Sequence, residues 1–152
     1  MIKYQSTKTY THSAGLSCCF RQWRATHSHC QFLHGYAIQV KLVFESAALD
    51  ERNWVVDFGG LKDVKAYLEG MFDHKTIVAE DDPLLPEFQK LRDQKGIQLV
   101  VVPDVGCEKF ALMIFQAVDF MIAGKYKHAR LKSVEVSEHE GNSAVVLREE
   151  DE

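Results

Sequence analysis

Tyr36-Ala37-Ile38-Gln39-Val40-Lys41-Leu42-Val43-Phe44 is the stretch that decides the fold. Tyr36, Ile38, Val40, Leu42 and Phe44 share one face with His34, while Gln39, Lys41 and Glu45 share the other. A period of two with one apolar face predicts a strand half-buried in an antiparallel sheet. Upstream, Leu16-Ser17-Cys18-Cys19-Phe20-Arg21 places Leu16, Cys18 and Phe20 on one face. The two runs predict a long hairpin whose polar connection, Gln22 to Leu33, carries histidines and a cysteine.

Downstream the period lengthens. Leu61, Val64, Leu68, Met71 and Phe72 recur at helical spacing behind Asp57, which is placed to cap the segment. The acidic stretch Asp81 to Gln94 contains Pro83 and Pro86 and predicts a loop with a short helix, and Ile97 to Val102 is strand-like. A second helix is predicted from Gly106 to Ala123, with Phe110, Ala111, Ile114, Phe115, Val118, Met121 and Ile122 as its stripe. Asp104 and Glu108 near its start and Lys125 and Lys127 after its end suit the helix dipole. The last two strands, Leu131 to Glu138 and Ser143 to Leu147, meet at a turn over Glu140-Gly141-Asn142. The order β-β-α-(β)-α-β-β predicts an α+β protein with two helices on one face of an antiparallel sheet.

The chain has 152 residues, the usual size of one domain, and neither a repeat nor a Pro/Gly/Ser-rich linker divides residues 1–152. The acidic tail 149–152 is expected to be frayed. Hydrophobic residues at 46% and charged residues at 26% exclude a disordered or fibrous chain. No apolar run reaches the ~18 residues that span a bilayer, so no membrane partner is expected. The opening MIKYQSTKTY has no apolar signal core, which predicts a cytoplasmic protein. A net charge of -4 without a basic stripe argues against nucleic acid. Cys18, Cys19, Cys30 and Cys107 fit neither a disulfide framework nor a paired-cysteine zinc knuckle.

Three places carry chemistry. Glu138 is in phase with Val134 and Val136, so it points to the apolar side, where a carboxylate needs N–H donors unless the strand has already ended. Asp73-His74 follows the first helix, and a carboxylate beside an imidazole orients it and fixes its tautomer. His27, His29 and His34 lie within eight residues of one another, a density that suits Zn²⁺, with the Cys30 thiol among them. A polar loop with incidental histidines is the competing reading.

Cys30-Gln-Phe-Leu-His34-Gly-Tyr36 resembles the Cys-x-x-x-His-Gly-His signature of the 6-pyruvoyl-tetrahydropterin synthase and 6-carboxytetrahydropterin synthase family. Trp54-Val-Val-Asp57-Phe58-Gly-Gly-Leu61-Lys62, Phe72-Asp73-His74-Lys75, Val105-Gly-Cys107-Glu108 and Val134-Glu-Val136-Ser-Glu138 resemble further family segments in the same order. The resemblance covers about residues 16 to 147. It implies the tunnelling fold, a four-stranded antiparallel sheet with two helices on one side, assembled as homotrimers or homohexamers with active sites at subunit interfaces. It implies a pterin triphosphate substrate, 7,8-dihydroneopterin triphosphate. Cys30 would be the proton-transferring thiolate, with Asp73 and His74 as its partners. Glu138 would hold the pterin's N–H groups, and Cys107 and Glu108 would line the same pocket.

In the bacterial branch the product is 6-carboxy-5,6,7,8-tetrahydropterin, on the path to queuosine, and that branch is the favoured reading. The alternatives are the pyruvoyl branch, a pterin- or purine-binding homologue with a degraded metal site, or another enzyme of the same fold. The family's zinc is held by three histidines, of which only His34 matches. Tyr36 stands at the second His-Gly-His position, and Phe20 stands where the first-strand histidine belongs. The expected Zn²⁺ ligands are therefore His27, His29 and His34 in a rebuilt site. The other outcomes are a shifted register that recruits His12, or loss of the metal.

Overall fold

The computed structural model describes residues 1–150. Strands β1 (Tyr4–Tyr10), β4 (Gln39–Ser46), β7 (Arg130–His139) and β8 (Asn142–Leu147) form a four-stranded antiparallel sheet in the order β1-β4-β7-β8. A smaller mixed sheet holds β3 (His34–Ala37), β2 (Ser17–Phe20), β5 (Lys75–Ala79) and β6 (Gln98–Val102) in the order β3-β2-β5-β6. Helices α1 (Lys62–Phe72), α2 (Leu85–Asp93) and α3 (Cys107–Lys125) complete the chain.

The main sheet follows the expected alternation. Val40, Leu42 and Phe44 of β4 are buried, and across the ladder they meet Val136, Val134 and Leu131 of β7. A bulge between Val43 and Phe44 shifts the register, so that Phe44 faces Leu131. Helix α3 lies across β7 and β8 and buries Phe110, Ile114, Val118 and Ile122 at i, i+4 spacing. Helix α1 packs on α3 and β5 through Val64, Leu68 and Phe72, and Phe72 meets Phe110 edge to face at 5.4 Å. Asp57 caps the 3-10 turn ahead of α1, its Oδ1 accepting from the Gly59 N–H at 2.9 Å.

Besides strand β5, which the expected element order lacks, three features differ from the sequence expectation. The run Tyr36 to Phe44 is two strands in two sheets, with the switch at Ile38, whose N–H pairs with the Leu16 carbonyl at 3.2 Å. The strand at Leu16 to Arg21 belongs to the smaller sheet, pairing antiparallel with β3 and parallel with β5. Its expected place in the main sheet is taken by β1, which pairs with β4 from Tyr4↔Ser46 to Tyr10↔Val40. At the C-terminal end, Glu150 is ion-paired with Lys3 at 2.7 Å and Lys132 at 3.0 Å. Residues 151–152 of the acidic tail lie outside the described residues. No helix among the described residues is long and apolar enough to cross a membrane.

Candidate active site

An open depression of about 490 Å³ is lined by His12, Gly35, Tyr36, Ala37, Glu138, His139 and Glu140. It forms where the end of β7 meets β3. Glu138 owes its place to a second bulge. Ser137 pairs with Ser143 and His139 with Asn142, so β7 carries one extra residue there, and that residue is Glu138. Bulges re-aim side chains at sheet ends. Because β7 runs to His139, the strand has not ended at Glu138, and that residue is half-buried. It faces Cys107, the first residue of α3. Burial, and after it the Glu138 charge, pushes the Cys107 thiol up to about 12, so the thiol stays protonated beside the carboxylate. Burial and then Glu138 also raise the Tyr36 phenol, with Cys30 the next contributor. Glu138, Cys107, Tyr36 and Cys30 thus share one neighbourhood, whereas Glu108 is exposed in the first turn of α3.

Cys30 is exposed in a 3-10 turn, His29–Gln31. Its N–H donates to Ser28 Oγ at 3.1 Å, and its carbonyl accepts from the Gln22 N–H at 2.8 Å. Arg21 secures the turn from below by donating through Nη1 to the Gln31 carbonyl at 3.0 Å and through Nε and Nη2 to Asp82. Neither Arg21 nor Asp82 stands out in the sequence, because their pairing spans 61 positions.

Asp73 and His74 meet each other, the carboxylate 2.5 Å from His74 Nδ1. Since the carboxylate accepts, Nδ1 donates and Nε2 is left for other work. His74 sits at φ 59, just past the end of α1, in the left-handed conformation that glycine or asparagine favours. Its N–H is fixed by the Ser17 carbonyl at 2.6 Å. Strained backbone held in place by its surroundings is a mark of functional positions. His74 lines a second depression of about 440 Å³ with Arg92, Lys95 and Gln98. Among the described residues, no hydrogen bond or ion pair joins the Asp73–His74 dyad to Cys30 or Glu138 within one chain.

The residues present do not fit a three-histidine zinc centre. His27, His29 and His34 are all exposed, one in the loop, one opening the 3-10 turn and one starting β3. Among the described residues, no three His, Cys, Asp or Glu side chains converge in a way that would hold a metal ion. His27 lies before the turn that carries Cys30, His29 opens that turn and His34 starts the next strand, so the three expected ligands are not gathered into one cluster among the described residues. Phe20 and Tyr36, at the two substituted positions, stack with ring centroids 4.9 Å apart and planes at 28°. His12, the reserve ligand, lines the first depression and donates from Nδ1 to the Ala37 carbonyl at 2.5 Å.

The four-stranded antiparallel sheet, its helices and the bulged carboxylate at the end of β7 define an α+β protein of the tunnelling fold. Residues 9–149 match the family described as 6-pyruvoyl tetrahydropterin synthase, and the chain belongs to that family. It is similar to proteins named 6-carboxy-5,6,7,8-tetrahydropterin synthase. It is 39% identical to the one from Rickettsia felis over 35% of this chain and 39% of that protein, and 25% identical to the one from Aquifex aeolicus over 62% and 65%. These matches, with a third from Rickettsia bellii at 48%, span less than two thirds of the relatives' own lengths. In fold it resembles an uncharacterized protein from Wolinella succinogenes, with a TM-score of 0.78, 24% identity and coverage of 98% and 100% of the two chains. It also resembles the 6-pyruvoyl tetrahydropterin synthase of Plasmodium falciparum, with a TM-score of 0.69, 15% identity and coverage of 96% and 98%.

Proposed function

We propose that the chain binds a reduced pterin in the Tyr36–Glu138 depression and processes its side chain as a lyase of the tetrahydropterin-synthase type. One observation carries the reading: the Glu138 carboxylate is turned by a bulge into a half-buried pocket beside an aromatic ring. A charged acceptor in such a place suits the amino and ring N–H groups of a pterin. The Cys30 thiol moves a proton on the side chain, and His74 Nε2, with Asp73 holding Nδ1, acts as the second proton carrier. His74 lines a different depression from Glu138, so the reading requires a neighbouring subunit to complete the site. The open edge strand β8, with Val145 and Leu147 exposed, is a surface for closing the sheet into a homotrimer or homohexamer.

The substrate in this reading is 7,8-dihydroneopterin triphosphate and the product 6-carboxy-5,6,7,8-tetrahydropterin, supported by the names of the three relatives. A second reading is a pterin- or purine-binding homologue without this turnover, favoured by the aromatic pair that stands in place of two metal donors. Calorimetry with 7,8-dihydroneopterin and a turnover assay with its triphosphate decide the matter. A charge-assisted hydrogen bond of roughly 1.5–3 kcal/mol makes Glu138→Ala at least about tenfold weaker in binding. Binding without turnover selects the second reading. Absence of binding by the unsubstituted protein, or unchanged affinity in Glu138→Ala, overturns the pocket assignment.

A further inference from the structure

We propose that this chain carries no resident transition metal, and that the Phe20–Tyr36 pair has replaced a metal centre with an aromatic surface on which Tyr36 meets the ligand. In the β2–β3 ladder Phe20 lies opposite His34 and Tyr36 opposite Cys18. Phe20 and Tyr36 are therefore diagonal neighbours on one face, a separation that aromatic side chains bridge. Their stack is held from behind. Phe20 is 6% exposed and meets Phe110 edge to face at 5.0 Å. A zinc ion needs nitrogen, sulfur or carboxylate donors about 2.0–2.3 Å away, and a phenyl ring supplies none.

His34 keeps the arrangement of a metal ligand. Its Nδ1–H donates to the Phe32 carbonyl at 2.8 Å, and Nε2 has no hydrogen-bond partner among the described residues. Its ring lies 6.3 Å from that of Tyr36. His12 has the same arrangement against Ala37, but two imidazoles without a convergent third donor do not make a site. Tyr36, in contrast, is supported on one side by Phe20 and lines the depression beside Glu138. An aromatic surface next to a carboxylate takes a flat, N–H-rich heterocycle, the ring stacking while its N–H groups reach the oxygens.

The ligand half of this proposal rests on the pterin reading; the metal half does not. The two are tested apart. Protein stripped with chelator and dialysed against zinc alone should hold far less than one zinc per chain by elemental analysis. The double variant Phe20→His/Tyr36→His should gain about one, the count expected of a three-histidine site. About one tightly held zinc in the unsubstituted protein, lost in His34→Ala, overturns the metal half. That result needs no variant in the core, so the test survives if the double variant fails to fold. In calorimetry with 7,8-dihydroneopterin, chelator should leave affinity unchanged. Tyr36→Ala should weaken binding about tenfold and Tyr36→Phe less than about threefold, as loss and retention of a stacking ring would. Equal affinity in Tyr36→Ala overturns the ligand half. Failure of the unsubstituted protein to bind the pterin at all removes the functional reading while leaving the zinc result standing.

Discussion

Asp82→Ala tests how the Cys30 turn is held. The Asp82 side chain is 1% exposed and that of Arg21 17%. Arg21 donates from Nε at 2.9 Å and Nη2 at 2.6 Å to the two carboxylate oxygens, a bidentate fork. Asp82 Oδ1 also accepts from the Leu84 N–H at 2.9 Å. Removing the carboxylate leaves a largely buried guanidinium without its counter-charge. Breaking a buried pair from one side costs about 3–5 kcal/mol, and the residual exposure of Arg21 places this case at the lower end, about 3 kcal/mol. Urea unfolding should therefore show a lower midpoint at unchanged m. Native-state hydrogen exchange should show lost protection at the Gln22 amide, which bonds the Cys30 carbonyl. Arg21→Met/Asp82→Leu should recover most of the stability, because an apolar pair of similar volume carries no desolvation penalty. The reasoning is refuted if Asp82→Ala costs less than about 1 kcal/mol with Gln22 protection intact.

Other perturbations separate structure from chemistry. His74→Asn and His74→Gly relieve the left-handed backbone at φ 59, so stability should hold or rise by up to about 1 kcal/mol. Turnover should fall by about 10²–10⁴-fold with loss of the imidazole, as kinetics on folded variants would show. Burial pushes the Cys18 and Cys107 thiols up to about 12, while Cys30 is exposed. Iodoacetamide at pH 8 should therefore modify Cys30 and spare those two in mass spectrometry, and Cys30→Ala should keep pterin binding and lose turnover. Hydrogen bonds from Lys3 and Lys132 lower Glu150 from 4.5 to about 2. With the folded value depressed, the pairing stabilises the fold above about pH 4.5 and is lost as pH falls towards 2. Unfolding midpoints of the unsubstituted protein and Glu150→Gln should accordingly differ at pH 6 and converge at pH 2.

The main sheet was legible wherever one face is dry. Val40, Leu42 and Phe44, like Val134 and Val136, alternate because each strand divides core from a more polar face. Strand β1 gave no such signal: of its seven residues only Tyr10 is buried, as an edge strand permits. Strand β5 failed for the opposite reason. Thr76, Ile77, Val78 and Ala79 are all buried, so no alternation exists to read. The sheet switch at Ile38 was invisible because Ile38 is fully buried and keeps phase with both neighbours, Tyr36 and Val40. Periodicity records which way a side chain points, and the partner of a backbone N–H leaves no mark in it.

The candidate site divides along the same line. Glu138 was readable as an inward carboxylate because its phase follows from Val134 and Val136, whereas the bulge that turns it to the pocket depends on the Asn142–Ser143 register. Phe20 and Tyr36 were readable as departures from a metal-binding pattern. That they compensate each other was not, since the stack exists only once β2 pairs with β3. Physically the two departures belong together. Removing one donor from a three-histidine site leaves the imidazole at the buried Phe20 position or the half-buried Tyr36 position without a metal, and an unpaired polar group there costs roughly 1–3 kcal/mol. Replacing the second as well converts the same space into ring-on-ring packing continuous with Phe110 and Phe72. Single reversions are therefore expected to be worse than either end state: Tyr36→His alone places an imidazole against the Phe20 face with no ion to bind. A double-mutant cycle on Phe20→His and Tyr36→His, read by urea unfolding with and without zinc, should show the coupling of a stacked pair without zinc and a larger coupling once zinc is added. Additive effects in both conditions would mean that the two positions do not share one site.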